Sequence, residues 1–295
     1  MQNYTTQQSQ YEIEQNKHLP NHRLLWAILL YIGAFFILPL FVGLIVQLFY
    51  IGVYNDFKPI EEGHALYNDY ILFYSSVTNL IIYILAAVIL IVWLLPFLKE
   101  DWQKTRKRFF KTLLLGLGGW FILIGMVFLA SQLEASIRTA LKIPTDVTPG
   151  NQQHIIEMFK SKYIGLILIV TLLGAPIVEE LVFRKSMFGF LKNKFKLEPI
   201  FLIIISGVLF GLIHIISPLL TALFDGNYLN LVNELINLIS YSFMGMAIGI
   251  VYFISNENIY APMVTHFTQN LISSIGQIIL IMFPELLEQV SLFIK

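Results

Sequence analysis

Residues 163–185 read YIGLILIVTLLGAPIVEELVFRK, an apolar run that ends in two adjacent carboxylates and two cations. About 20 apolar residues suffice to cross the hydrocarbon core of a bilayer, and this run supplies them. A charge in hydrocarbon is costly and defaults to a functional role. Glu179 and Glu180 therefore need an explanation from the rest of the chain.

The rest of the chain has the same character. It is 57% hydrophobic and only 13% charged over 295 residues, with a mean hydropathy of +0.72. Soluble domains carry about a quarter charged residues, so the composition predicts an all-α polytopic membrane helix bundle. Seven stretches are long enough to span, near Leu24–Tyr50, Tyr70–Leu95, Thr112–Leu133, Tyr163–Phe183, Pro199–Leu220, Leu235–Ile254 and Ile259–Phe283. An eighth follows if residues 218–234 re-enter the membrane or the segment after Pro284 inserts. The polar, Gln/Asn-rich residues 1–23 predict a disordered cytosolic tail. Residues 24–150 hold the first three helices, 160–283 a core, and 284–295 a C-terminal amphipathic segment.

Charge and cysteine usage narrow the function. No basic stripe suggests nucleic acid as a partner; the lipid bilayer is the partner that composition implies. The absence of cysteine excludes disulfides, thiolate catalysis and Cys-based zinc sites. Thirteen of the 19 Lys and Arg fall in the tail, the second connection and residues 184–196. The positive-inside rule then places the N-terminus in the cytoplasm. Without an organelle signal, the expected location is a bacterial plasma membrane.

Within those spans, the ionisable residues are Glu179, Glu180, His214 and His266, with Arg184 at an edge. An antiparallel hairpin turning at KLEP (196–199) sets Glu180 and His214 level. His266 lies about 10–12 Å into the last span at 1.5 Å per residue, and Asn270 follows one turn deeper on the same face. Helical neighbours point about 100° apart, so the two glutamates take different roles. Glu180 and Arg184 have the i,i+4 spacing of an ion pair, acid first. Glu179 has no such helical partner and is left for chemistry. Phe210, one turn before His214, walls its pocket, and Gly245 with Gly249 reads as close helix packing.

EELVFR (179–184), FGLIH (210–214) and HFTQN (266–270) resemble the EExxxR, FxxxH and HxxxN motifs of the CPBP family. This is the Abi, type II CAAX prenyl endopeptidase and bacteriocin-processing group. The resemblance covers roughly residues 160–283. It implies an intramembrane endopeptidase acting on a membrane-associated peptide or protein, with the site open to the cytosol. Glu179 then looks like the general base, helped by His214. His266 and Asn270 look like the groups that polarise the scissile carbonyl and hold the oxyanion. Glu180, Arg184 and Phe210 support the site.

Two ways of activating water fit these residues. Glu179 acts alone, or Glu179, His214 and His266 bind zinc and leave a fourth position open, although no H-E-x-x-H is present. Two other classes compete with the enzyme. One is a bacteriocin-immunity or scaffold protein with a vestigial site. The other, weaker, is an ion-coupled transporter, for which spans one to three offer few polar side chains, chiefly Gln47, Ser75, Ser76, Thr78 and Asn79.

Overall fold

The computed structural model describes residues 21–145 and 147–285. These form eight helices and no strand. They are α1 (Asn21–Tyr54), α2 (Tyr67–Lys107), α3 (Phe109–Leu141), α4 (Gly150–Phe159), α5 (Ile164–Phe195), α6 (Pro199–Phe224), α7 (Tyr228–Ile254) and α8 (Tyr260–Met282). Most of the expected N-terminal tail, residues 1–20, and residues 286–295 of the C-terminal segment lie outside the described residues.

Six helices are long and apolar enough to cross a membrane: α1, α2, α3, α5, α6 and α7. The sequence predicts seven or eight. The seventh, α8, is a helix of 23 residues whose apolar character is diluted by His266, Gln269, Asn270 and Gln277. It still traverses the bundle. Its first residues meet Asp101 at one end, and Ile278 and Ile281 pack near Met158 and Phe159 at the other. Residues 218–234 form no re-entrant segment. Helix α6 continues through Pro218 to Phe224, and α7 begins at Tyr228.

Two connections differ from a simple loop. The basic stretch after Leu95 stays helical as far as Lys107, giving α2 41 residues, about 60 Å at 1.5 Å per residue. Its Lys, Glu and Gln are good helix formers, and Glu100 pairs with Lys104 one turn on at 2.9 Å. Tertiary contacts fix the extension. Asp101 accepts from Lys185 Nζ at 2.7 Å and from the Ile259 backbone N–H at 3.2 Å. One carboxylate thus ties α5 to α2 and caps the start of α8. The second surprise is α4, a ten-residue helix whose first N–H, from Gly150, donates to Glu234 Oε1 at 2.9 Å.

In lipid, apolar burial gives little drive for helix association, so close packing and hydrogen bonds hold the bundle. Helices α6 and α7 cross closely at Gly207, Gly211 and Gly245. A Cβ on Gly245 would lie 2.8 Å from the Gly207 carbonyl oxygen, and one on Gly207 2.7 Å from the Met246 nitrogen. Gly249 is in ordinary contact distance of Ile203, so the close crossing falls at one of these two α7 glycines. This crossing presses Phe210 and His214 of α6 against α5 and α7.

Candidate active site

Helix α5 is irregular where its carboxylates sit. Residues Ala175–Glu180 form a short α-helical stretch between two π-helical stretches, Val170–Gly174 and Leu181–Phe188. Pro176 cannot donate to the Leu172 carbonyl and its ring would crowd it; the widened turns before it accommodate the loss. Such π turns recur at functional sites. Here they set the orientation of Glu179 and Glu180, which are 3% and 0% exposed.

The two glutamates face different partners. Glu180 Oε2 pairs with Arg184 Nε at 3.0 Å, both side chains fully buried. Its other oxygen, Oε1, accepts from His266 Nδ1 at 2.8 Å. Glu180 therefore does more than balance a cation, which is all its spacing in the helix predicts. It also fixes the ring of His266, an imidazole arriving from α8.

Glu179 has a partner that the sequence reading lacks. Tyr83 of α2 donates its hydroxyl to Glu179 Oε1 at 3.0 Å. The other oxygen, Oε2, is buried without a hydrogen-bond partner and stands 3.9 Å from His214 Nε2. His214 Nδ1 lies 2.8 Å from the Phe210 carbonyl oxygen. A carbonyl only accepts, so Nδ1 carries the proton and a neutral ring leaves Nε2 as a lone pair.

Phe210 joins the two halves. Its ring lies 4.5 Å from that of His214 and 5.9 Å from that of His266. The Arg184 guanidinium stands 5.3 Å over the same ring, an attractive cation–π placement. On the far side of His214, Tyr241 of α7 stacks at 4.9 Å. Asn270 sits one turn along α8 from His266 and donates to the Thr171 carbonyl at 2.7 Å. That carbonyl belongs to the π turn preceding the glutamates. One amide hydrogen of Asn270 thus anchors α8 to α5 and the second is unassigned.

Among the described residues, no three His, Asp or Glu side chains are grouped to hold a metal ion. Glu179 and His214 are 3.9 Å apart, and the contact of His266 Nδ1 with Glu180 leaves Nε2 as that ring's remaining nitrogen.

Tyr83 left a signal in the sequence. It stands midway along the predicted second span, whereas tyrosines favour the membrane interfaces, and a buried hydroxyl looks for a partner. Buried Arg138, whose guanidinium donates to Asn233 at 2.6 Å and Asn237 at 2.8 Å, was also unanticipated. It joins α3 to α7 at the end of the bundle away from Asp101.

The fold and site define a class: a multi-pass helical membrane protein with a buried glutamate and histidine centre. Residues 161–272 match the family described as type II CAAX prenyl endopeptidase Rce1-like. This segment contains all seven residues of the three motifs. An uncharacterized protein of Mycoplasma capricolum subsp. capricolum is 26% identical over 257 residues, covering 82% of this chain and 66% of that protein. The chain thus spans just under two thirds of that relative's length. No solved structure matches.

Proposed function

We propose that the chain is an intramembrane endopeptidase in which Glu179 activates water to hydrolyse a peptide bond of a membrane-associated peptide or protein. The family supports the CAAX-type protease class; the roles below are our reading. One observation carries them: a buried carboxylate oxygen, Glu179 Oε2, has no partner and lies 3.9 Å from the lone-pair nitrogen of His214. That gap is too long for a hydrogen bond and short enough for one water to reach both.

Such a water gives its proton to Glu179 while its oxygen attacks the scissile carbonyl carbon. The carbonyl π electrons move to oxygen, where His266 and the second amide hydrogen of Asn270 are the donors suited to the negative charge. His266 Nδ1 donates to Glu180 at 2.8 Å, so donation from Nε2 requires a proton on both ring nitrogens. Collapse breaks the C–N bond, and the proton held by Glu179 goes to the leaving amine nitrogen. Phe210 and Tyr241 hold the His214 ring between them. We orient the chain with its site open to the cytoplasm, on the thirteen-to-six division of basic residues.

The test compares membranes from cells expressing the wild-type chain or Glu179→Gln, with new peptide N-termini read by mass spectrometry. The expected result is a set of termini present only with wild type and insensitive to chelation. Identical termini in both samples would overturn the protease reading. Loss on chelation with restoration by zinc would overturn metal-free activation.

A further inference from the structure

The base of the proposed reaction is held from outside the family-matched segment. Tyr83 lies in α2, 78 residues before residue 161, yet its hydroxyl is 3.0 Å from Glu179 Oε1. We propose that Tyr83 is a positioning residue for Glu179: it occupies Oε1 and so turns Oε2 toward His214. This rests on the protease reading for its catalytic consequence, though not for the contact itself.

The surroundings are shaped around this tyrosine. Phe35 of α1 packs edge-on against its ring at 4.9 Å, and Tyr31 in turn lies 4.5 Å from Phe35. Gly174 leaves room on the other side, since a Cβ there would stand 3.1 Å from Tyr83 Cβ. Gly174 ends the π turn whose Thr171 carbonyl receives Asn270. Tyr83 therefore leans on the same turn that anchors a proposed oxyanion donor. A carboxylate with one oxygen fixed cannot rotate freely about its terminal torsion, which is otherwise broad and two-fold. Without Tyr83, either oxygen of Glu179 swings between the α2 side and His214, and the population aligned on the attacking water falls. Hydrogen bonds to charged groups are among the strong ones, so the effect is large for a residue that never touches substrate.

The experiment uses Tyr83→Phe in the full chain, purified in detergent and reconstituted, with two readouts. The first is cleavage: kcat per folded molecule is expected to fall about tenfold or more while KM stays near wild type, with a lower melting temperature because a bond to a buried carboxylate is lost. In the double variant with Glu179→Gln the Tyr83→Phe loss should vanish, because Tyr83 acts through Glu179. The second readout needs no substrate. Dicyclohexylcarbodiimide takes up a carboxyl O–H across one C=N bond to give an O-acylisourea, whose acyl group migrates from oxygen to nitrogen to leave a stable N-acylurea of the same mass, detectable by mass spectrometry. With Oε1 released, Glu179 is expected to label about tenfold faster in Tyr83→Phe. Gly174→Ala keeps the hydroxyl but crowds the ring, and should shift both readouts the same way by less. Unchanged labelling would overturn the positioning contact. Faster labelling with unchanged kcat would overturn its catalytic part. If wild type cleaves nothing yet labelling accelerates, the contact stands and the protease reading falls.

Discussion

The half of the bundle formed by α5–α8 and the half formed by α1–α3 are built for different surroundings. In the most apolar stretch of α1 17% of residues are buried, and in α2 and α3 22%; in α5 and α7 the share is 50%. Leu40, Phe41 and Ile45 of α1 are 63–71% exposed. Glu179, Glu180, Arg184 and His266 are buried in the other half. A lipid-facing wall and a polar centre thus divide the chain near residue 150. Two helices reach across: α2 sends Tyr83 and Asp101 into the polar half, and α3 sends Arg138. The wall is therefore part of the site's support, and its residues should matter only where they reach inward.

The largest effect should come from the centre itself. Glu179→Gln keeps an amide oxygen for Tyr83 and keeps the volume, so the melting temperature should stay near wild type. Cleavage should fall about 10²–10⁴-fold, the usual contribution of a general base. An early-melting variant with wild-type turnover per folded molecule would erase the functional distinction between the halves.

Next comes Glu180→Gln. Arg184 is fully buried and would lose its counter-charge, a one-sided break that costs about 3–5 kcal/mol. Detergent melting should drop accordingly. Because Glu180 also holds His266, the fraction that remains folded should cleave poorly. A variant that melts early but cleaves normally would show that Arg184 alone depends on Glu180.

These two predictions differ in how visible they were beforehand. Four ionisable residues amid apolar spans are legible because hydrocarbon makes them rare, and the Glu180–Arg184 pair follows from i,i+4 spacing. The bond from Glu180 to His266 crosses two helices, and no periodicity says which faces of distant spans meet. Tyr83 was legible only as an anomaly, a hydroxyl at mid-span without a named partner. The extension of α2 was hidden because KEDWQKTRK has the charge of a loop. What keeps it helical is Asp101 meeting Lys185 and Ile259, a contact between segments over 80 residues apart. Six spans stand out by apolarity where the sequence predicts seven, because α8 carries polar residues that bond to its neighbours: His266 and Asn270 to α5 and Gln269 to α3.

A smaller effect tests the junction between the halves. Asn237 of α7 accepts from Arg138 Nη2 of α3 at 2.8 Å, and both side chains are buried. Asn237→Leu removes an acceptor from a buried cation while Asn233 still holds Nη1 at 2.6 Å. A hydrogen bond to a charged group contributes about 1.5–3 kcal/mol, so the loss should fall in that range. Turnover of the folded protein should be unchanged, since neither residue touches the glutamates. A drop in kcat at constant stability would mean that this end of the bundle communicates with the site.

The smallest effect belongs to the outer wall. Leu40 is 71% exposed on α1, in a stretch where lipid is the natural neighbour. Truncation to alanine there opens no protein cavity, because lipid tails fill the space in the folded bundle and in separated helices alike. Buried Leu94 of α2, at 0% exposure, is the control. Leu94→Ala leaves a hole among α1, α2 and α5 side chains and should cost about 2–5 kcal/mol. Leu40→Ala should stay within about 0.5 kcal/mol, the range of substitutions away from packed features. Denaturant titration of both variants in one detergent separates the cases. A Leu40→Ala loss comparable to that of Leu94→Ala would mean that this face of α1 is covered in the membrane. The contrast between wall and centre would then hold only for the single chain, and a second copy would be the first occupant to look for by cross-linking.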